Sequence, residues 1–169
     1  RRPDLRDAPS LLAAVRSVGG LGLPLSPPRE EAHPRGRLHS LGRDAEVISH
    51  HYDVGNDFYR LVLGPSMTYS CARFADDDVS LEAAQAAKFE LVCRKLGLHE
   101  RRGARLLDVG CGWGSLAMHA AEHHGAQVVG VSISHEQVVA ARQRVAAAGL
   151  SDLVDIREQD YRELAGERF

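Results

Sequence analysis

The sequence predicts an α/β protein: an incomplete doubly wound parallel sheet of Rossmann-like type, preceded by a helical N-terminal segment. Three observations carry that expectation. Residues 104–157 alternate short apolar runs with helical patterns, in the order strand, helix, strand, helix, strand. A glycine-rich turn, Gly110-Cys111-Gly112-Trp113-Gly114, joins the first run to the first helix. Upstream, residues 44–100 hold only helical and irregular patterns.

The elements follow in order. Residues 1–43 carry six of the seven prolines, and eight arginines against four acids. They read as a flexible Arg/Pro/Gly-rich segment. Within it Ser10 to Val18 predicts one short helix, capped by Ser10 and stopped by Gly19-Gly20, and Leu21 to Gly42 reads as linker. Asp44 to His51 predicts a helix with Asp44 as its cap; Asn56 to Leu63 predicts another, stopped by Gly64-Pro65. Ser80 caps a longer helix that Gly97 ends. Its apolar stripe is Leu81, Ala84, the Lys88 stem, Leu91, Val92 and Leu96. Ala104 to Val109 is the first buried parallel strand, and Ser115 to His124 the helix after it. Gln127 to Ser132 is the second strand, Glu136 to Ala148 the next helix, and Leu153 to Arg157 the third strand. Right-handed crossovers place these strands side by side in the order 3-2-1. A doubly wound domain normally continues past this point, so residues 101–169 are expected to be the N-terminal half of one.

With 169 residues, 44% hydrophobic and 26% charged, the chain has an ordinary one-domain globular composition. No run approaches the roughly 18–20 apolar residues of a membrane span, and the N-terminus lacks the apolar core of a secretory signal. The expectation is a cytoplasmic protein. Cys71, Cys93 and Cys111 form no CxxC pair, which argues against a disulfide framework or a cysteine zinc site. His119 and His123 stand i,i+4 on a predicted helix and read as a solvent-facing stripe, so no metal is expected. Residues 44–169 carry 13 basic against 19 acidic side chains, which argues against nucleic acid as the partner.

The glycine turn is the strongest local signal. Gly110 permits a tight turn, Gly112 lets a ligand approach the backbone, and Gly114 lets the helix start close to the sheet. The spacing is GxGxG rather than the pyrophosphate fingerprint GxGxxG, with Asp108 two residues before the first glycine. That favours a ligand packed on the loop by an amino-acid part. A carboxylate or ammonium at Gly110, with Asp108 nearby, suits the methionine moiety of S-adenosylmethionine. The alternative is a glycine-rich turn with no ligand. The second strand runs into Ser132-Ile133-Ser134, with Gln137 in the next turn, where a nucleotide-binding domain normally carries a ribose-binding acid. Ser134 reads equally as a helix N-cap, and Gln137 as an exposed polar position. Gln159-Asp160-Tyr161 offers an acid to an adenine amino group and a ring beside it, or is an ordinary polar loop.

Six motifs occur in order: HHYDVGNDFY, LGPSMTYSCARF, AQAAKFELVCRKLGL, LLDVGCGWGSLA, VVGVSISHEQ and QDYRE. Together they resemble the cyclopropane-fatty-acyl-phospholipid synthase family, which includes the mycolic acid cyclopropane synthases, over roughly residues 44–169. The resemblance implies a class I S-adenosylmethionine-dependent methyltransferase fold. It implies methyl transfer to a cis double bond of an unsaturated phospholipid acyl chain at a membrane surface, on the inner face. A bound bicarbonate then removes a proton. By the same resemblance Tyr69, Ser70 and the loop Asp108, Gly110, Gly112, Gly114 contact the cofactor. Ser132, Ile133, Ser134 and Gln137 hold ribose and adenine, and Asp160 and Tyr161 flank the adenine. Cys71 contributes to the bicarbonate pocket through its backbone amide, while residues 44–100 cover acyl chain and cofactor. Gly55 departs from the family's usual Ser. The other bicarbonate-pocket residues, a Glu, a His and a Tyr, lie beyond the third strand. Two further readings stand beside this one: a small-molecule methyltransferase sharing only the cofactor half, and a non-catalytic cofactor-binding remnant.

Overall fold

The computed structural model describes residues 37–52, 55–164 and 166–169. The predicted helix at Ser10 to Val18 and most of the predicted linker lie outside them. Three helices come first: α1 (Leu41–Tyr52), α2 (Asn56–Leu63) and α3 (Leu81–Lys95). Then strand and helix alternate: β1 (Arg105–Val109), α4 (Ser115–His124), β2 (Gln127–Ser132), α5 (His135–Ala147) and β3 (Val154–Glu158). The strands form one parallel sheet with β2 in the centre, so the predicted order holds. Leu107 pairs with Val129, and Val129 with Asp155. Among the described residues no helix is long and apolar enough to cross a membrane.

Central position explains the composition of β2. Five of its six residues are buried, so it is an apolar run rather than an alternation. Gly130 is its one residue without a side chain, and the space is used. A Cβ there would lie 2.8 Å from Ile156 Cδ1 and 3.1 Å from Cys111 Sγ. The core continues through Ala117, Ala120 and Ala121 of α4 and Val138, Ala141 and Val145 of α5. Small residues on α4 let the helix lie close to the sheet.

Caps explain the helix ends. Ser80 Oγ accepts from Ala83 N–H at the start of α3, and Gly97 follows its end in the left-handed region, φ 71°. Three expectations need correction. Helix α1 begins at Leu41 rather than Asp44, and Asp44 sits in its first turn with its carboxylate turned to Arg162. The buried face of α3 is Ala84, Gln85, Phe89 and Cys93, while Leu81 and Leu96 are exposed. Helix α3 packs on α4; Gln85 turns inward because its Nε2 donates to the Ser70 carbonyl at 2.9 Å. An apolar count cannot see that bond. His119 is not on a solvent-facing stripe: only 12% of its side chain is exposed, since α3 covers it, whereas His123 is over half exposed.

Candidate cofactor site

The carboxyl ends of the three strands open into one groove of about 940 Å³, where an open parallel sheet binds its ligand. Its floor is the turn after β1. Gly110 and Gly112 have φ of 72° and 55°, a region most side chains avoid. A Cβ built on either meets nothing within 4 Å. Backbone angle, not crowding, therefore requires these glycines, and the space over them is open. The turn is tied to the central strand, because Gly110 N–H and Cys111 N–H both donate to the Val131 carbonyl, at 2.9 and 3.0 Å.

With those two donors engaged, the charge of the floor is that of Asp108. Its Oδ2 is buried without a hydrogen-bond partner, and burial pushes its carboxyl up to about 6. A buried acid in that state is satisfied by a cation. Of the two poles of an amino acid, this floor fits the ammonium.

The wall above β2 is a small polar network. Ser132 Oγ donates to Gln137 Oε1 at 3.1 Å and accepts from Ser134 N–H at 3.2 Å. Ser134 Oγ in turn accepts from Gln137 N–H as the N-cap of α5. Gln137 is thus buried, not the exposed position it reads as in sequence. On the opposite rim Asp160 and Tyr161 follow β3. Arg162 grips both Asp160 oxygens, at 2.8 and 2.6 Å, then reaches Asp44 at 3.0 Å and the His39 carbonyl at 2.9 Å. That pairing holds the Asp160 carboxyl below the usual carboxylate range.

The roof is the segment between α2 and α3. Ser70 Oγ accepts from Lys88 Nζ at 2.8 Å. Met67 adopts φ 49°, unusual for a side chain of its size, and is buried against Tyr59 and Trp113. Its surroundings hold it there. Trp113 Nε1 donates to Asn56 Oδ1 at 2.7 Å. Arg144 donates to the carbonyls of Trp113 and Ser66 and to Ser115 Oγ. One guanidinium therefore joins roof to floor.

A family model described as mycolic acid cyclopropane synthetase matches residues 39–169, a span that takes in every wall of the groove. The chain belongs to that family. A probable fatty acid methyltransferase of Mycobacterium tuberculosis is 48% identical over 176 aligned residues, covering all of this chain and 40% of that protein. The cyclopropane-fatty-acyl-phospholipid synthase of Escherichia coli is 47% identical over 127 residues, covering 75% of this chain and 31% of that protein. The mycolic acid cyclopropane synthase CmaA1, solved in complex with SAH and CTAB, superposes with a TM-score of 0.64 at 38% identity, covering 70% of this chain and 41% of that one. The chain spans less than half the length of each. The fold is accordingly the Rossmann-like fold of S-adenosylmethionine-dependent methyltransferases.

In this cyclopropane synthetase family chain the groove gathers Tyr69, Ser70, Asp108, Gly110, Gly112, Ser132, Ile133, Gln137, Asp160 and Tyr161. Gly114, Ser134 and Cys71 are not in its lining. Gly114 precedes α4 at φ 79°, where a Cβ would meet Ala141 Cβ at 3.4 Å. Ser134 is the buried cap just described, and Cys71 is exposed. Sequence reasoning missed Arg144, Arg162 and the ammonium head of Lys88. Each acts through a contact at least 18 residues away in sequence, except the Arg162 grip on Asp160. The RE after QDY in the last motif was the one available signal.

Proposed function

We infer that this chain is the cofactor-binding part of an enzyme that methylates the cis double bond of an unsaturated fatty acyl chain of a phospholipid. The product is a cyclopropane or methyl-branched chain. The observation that carries the reading is the buried, unpaired Oδ2 of Asp108 beside two left-handed glycines, in a chain of the cyclopropane synthetase family.

S-adenosylmethionine supplies an electrophilic methyl group when bound. Asp108 would hold its ammonium, while Gly110 and Gly112 admit the amino-acid part. Ser132, Ile133 and Gln137 would face ribose and adenine, with Asp160 and Tyr161 beside the adenine. Ser134 acts by fixing Gln137, and Gly114 by letting α4 start against α5. Tyr69 and Ser70 close the groove from the roof. Residues 44–100 act as the covering segment, a role supported by Asp44, Val47, Ile48, Tyr69 and Phe89 in the lining. Bicarbonate is the expected proton acceptor, with the Cys71 backbone amide among its holders. The lipid acceptor is met at the inner membrane face.

The test uses methyl-labelled S-adenosylmethionine and vesicles of unsaturated phospholipid, followed by fatty-acid analysis. It is run on the 169-residue chain and on a protein extended to the length of its relatives. Label is expected in branched or cyclopropane chains from the extended protein only. The shorter chain binds cofactor without turnover, because a positioned general base typically contributes about 10²–10⁴-fold and its other expected holders are not in this stretch. In the extended protein Cys71→Ser keeps most of the activity, since a backbone donor survives the change. Loss of several orders of magnitude with the fold intact would make the thiol a nucleophile instead. Label in a small molecule but in no acyl chain would favour a small-molecule methyltransferase.

A further inference from the structure

Helices α3 and α4 bring together four metal-binding side chains away from the cofactor floor. Glu90 and Cys93 come from α3, His119 and His124 from α4. We propose that Glu90, Cys93, His119 and His124 form a structural site for a zinc-class divalent cation that pins α3 to α4. The inference goes beyond the cofactor reading and does not depend on it.

The geometry is specific. Donor atoms of Cys93, His119 and His124 lie within 4.8 Å of one another. Glu90 Oε2 is 3.0 Å from His124 Nε2 and 3.7 Å from His119 Nε2. Ligand distances of about 2.0–2.3 Å in a tetrahedral zinc site place the donors roughly 3.3–3.7 Å apart. The two Glu90–histidine distances are close to this range, but Glu90 lies outside the three-residue cluster and would have to turn in as the fourth ligand. Two readings without a metal compete: a buried Cys is commonly an inert small hydrophobe, and a Glu–His pair is commonly just a link between helices. Neither brings the Cys93 donor to both histidines, and the link leaves His119 Nε2 3.7 Å from Glu90 Oε2. That buried Nε2 makes no hydrogen bond of normal length.

Charge balance fits as well. Both imidazoles bind neutral, Glu90 binds as carboxylate, and the Cys93 thiol releases its proton to solvent as the sulfur–metal bond forms. The two anionic donors neutralise the dication, which suits a half-buried position. Because the thiol gives up its proton on binding, occupancy is expected to strengthen with rising pH. The His119 side also lines a small groove of about 220 Å³, which gives an entry path.

The experiment is a cobalt(II) titration of the chelator-stripped chain, followed by zinc addition. One equivalent should produce a thiolate-to-cobalt charge-transfer band and the intense visible bands of a tetrahedral ion, and zinc should abolish both. Cys93→Ser should remove the charge-transfer band. His119→Gln and Glu90→Gln should each weaken binding by at least about tenfold. Cys71→Ser should leave the spectrum unchanged. Circular dichroism and SAH binding on the metal-free variants check the fold. If Cys93→Ser does not fold, protection from iodoacetamide decides instead: zinc should shield Cys93 in the unsubstituted chain under mild denaturant. No band in the unsubstituted chain, or a band that survives Cys93→Ser, overturns the proposal; so does absence of zinc protection.

Discussion

Asp108 is the residue on which the cofactor reading turns, and its titration can be read directly. Its folded pKa of about 6 lies above the ordinary 3.8, so the folded state holds its proton more tightly than the unfolded chain. Stability of the ligand-free protein therefore falls as pH rises from about 4 through about 6, by up to roughly 3 kcal/mol in total. Above that window the folded protein carries a buried carboxylate whose Oδ2 has no hydrogen-bond partner. A ligand ammonium supplies one. Affinity for SAH is expected to rise between about pH 5 and pH 7, and Asp108→Asn should flatten that profile while raising the ligand-free melting temperature at neutral pH. Calorimetry across pH, with thermal melts of both proteins, checks the pair of effects; a parallel pH profile in the variant would contradict them. At Gly112 the argument is one of angle and access. Gly112→Val places a β-branched side chain at φ 55° and into the ligand's path. A loss of at least about tenfold in affinity, or roughly 1.4 kcal/mol, is expected by calorimetry on the folded variant.

Among the elements, the central strand shows where sequence legibility stops. The boundaries of β1, β2 and β3 follow the sequence pattern to within a residue, but only β2 is buried on both faces. β1, expected as a buried strand, is half-buried with exposed ends, and β3 alternates buried and exposed residues. Gly130 looks in sequence like a mere weakness in the apolar run of β2. The structure gives it a task, since Ile156 and Cys111 occupy the place of its side chain. Gly130→Ala should therefore destabilise the protein by about 1–3 kcal/mol, the usual cost of overpacking, despite the alanine's better backbone propensity. Urea unfolding measures it, and an unchanged midpoint would refute the packing argument. The stripe of α3 was illegible for the opposite reason. Gln85 is polar yet inward, held by one long-range hydrogen bond. Hydrophobic periodicity reports apolar burial and is silent about polar groups whose partners come from elsewhere in the chain.

For the whole molecule the same division holds. The turn from Asp108 to Gly112 and the Ser132 hydroxyl are local patterns that line the groove, while Gly114 and Ser134 stand behind it. The ties that close the groove are not local: Arg144 reaches Ser66, and Arg162 reaches Asp44. No window of sequence holds both ends of such a contact. A ligand that joins floor, wall and roof would be felt globally. SAH at about 100 times its dissociation constant is expected to add roughly 2.7 kcal/mol to unfolding, read as a rise of several degrees in Tm. A melt unmoved by saturating ligand would mean that the groove is not a binding site.

The cysteines offer a practical consequence. Cys93 and Cys111 are buried, with thiols pushed up to about 11 and about 12, whereas Cys71 is exposed. A maleimide dye applied to the native chain should thus mark one position, adjoining Ser70 and Lys88 at the mouth of the groove. The protein carries its own attachment point for a fluorophore that reports occupancy in real time, with no engineered cysteine and none removed.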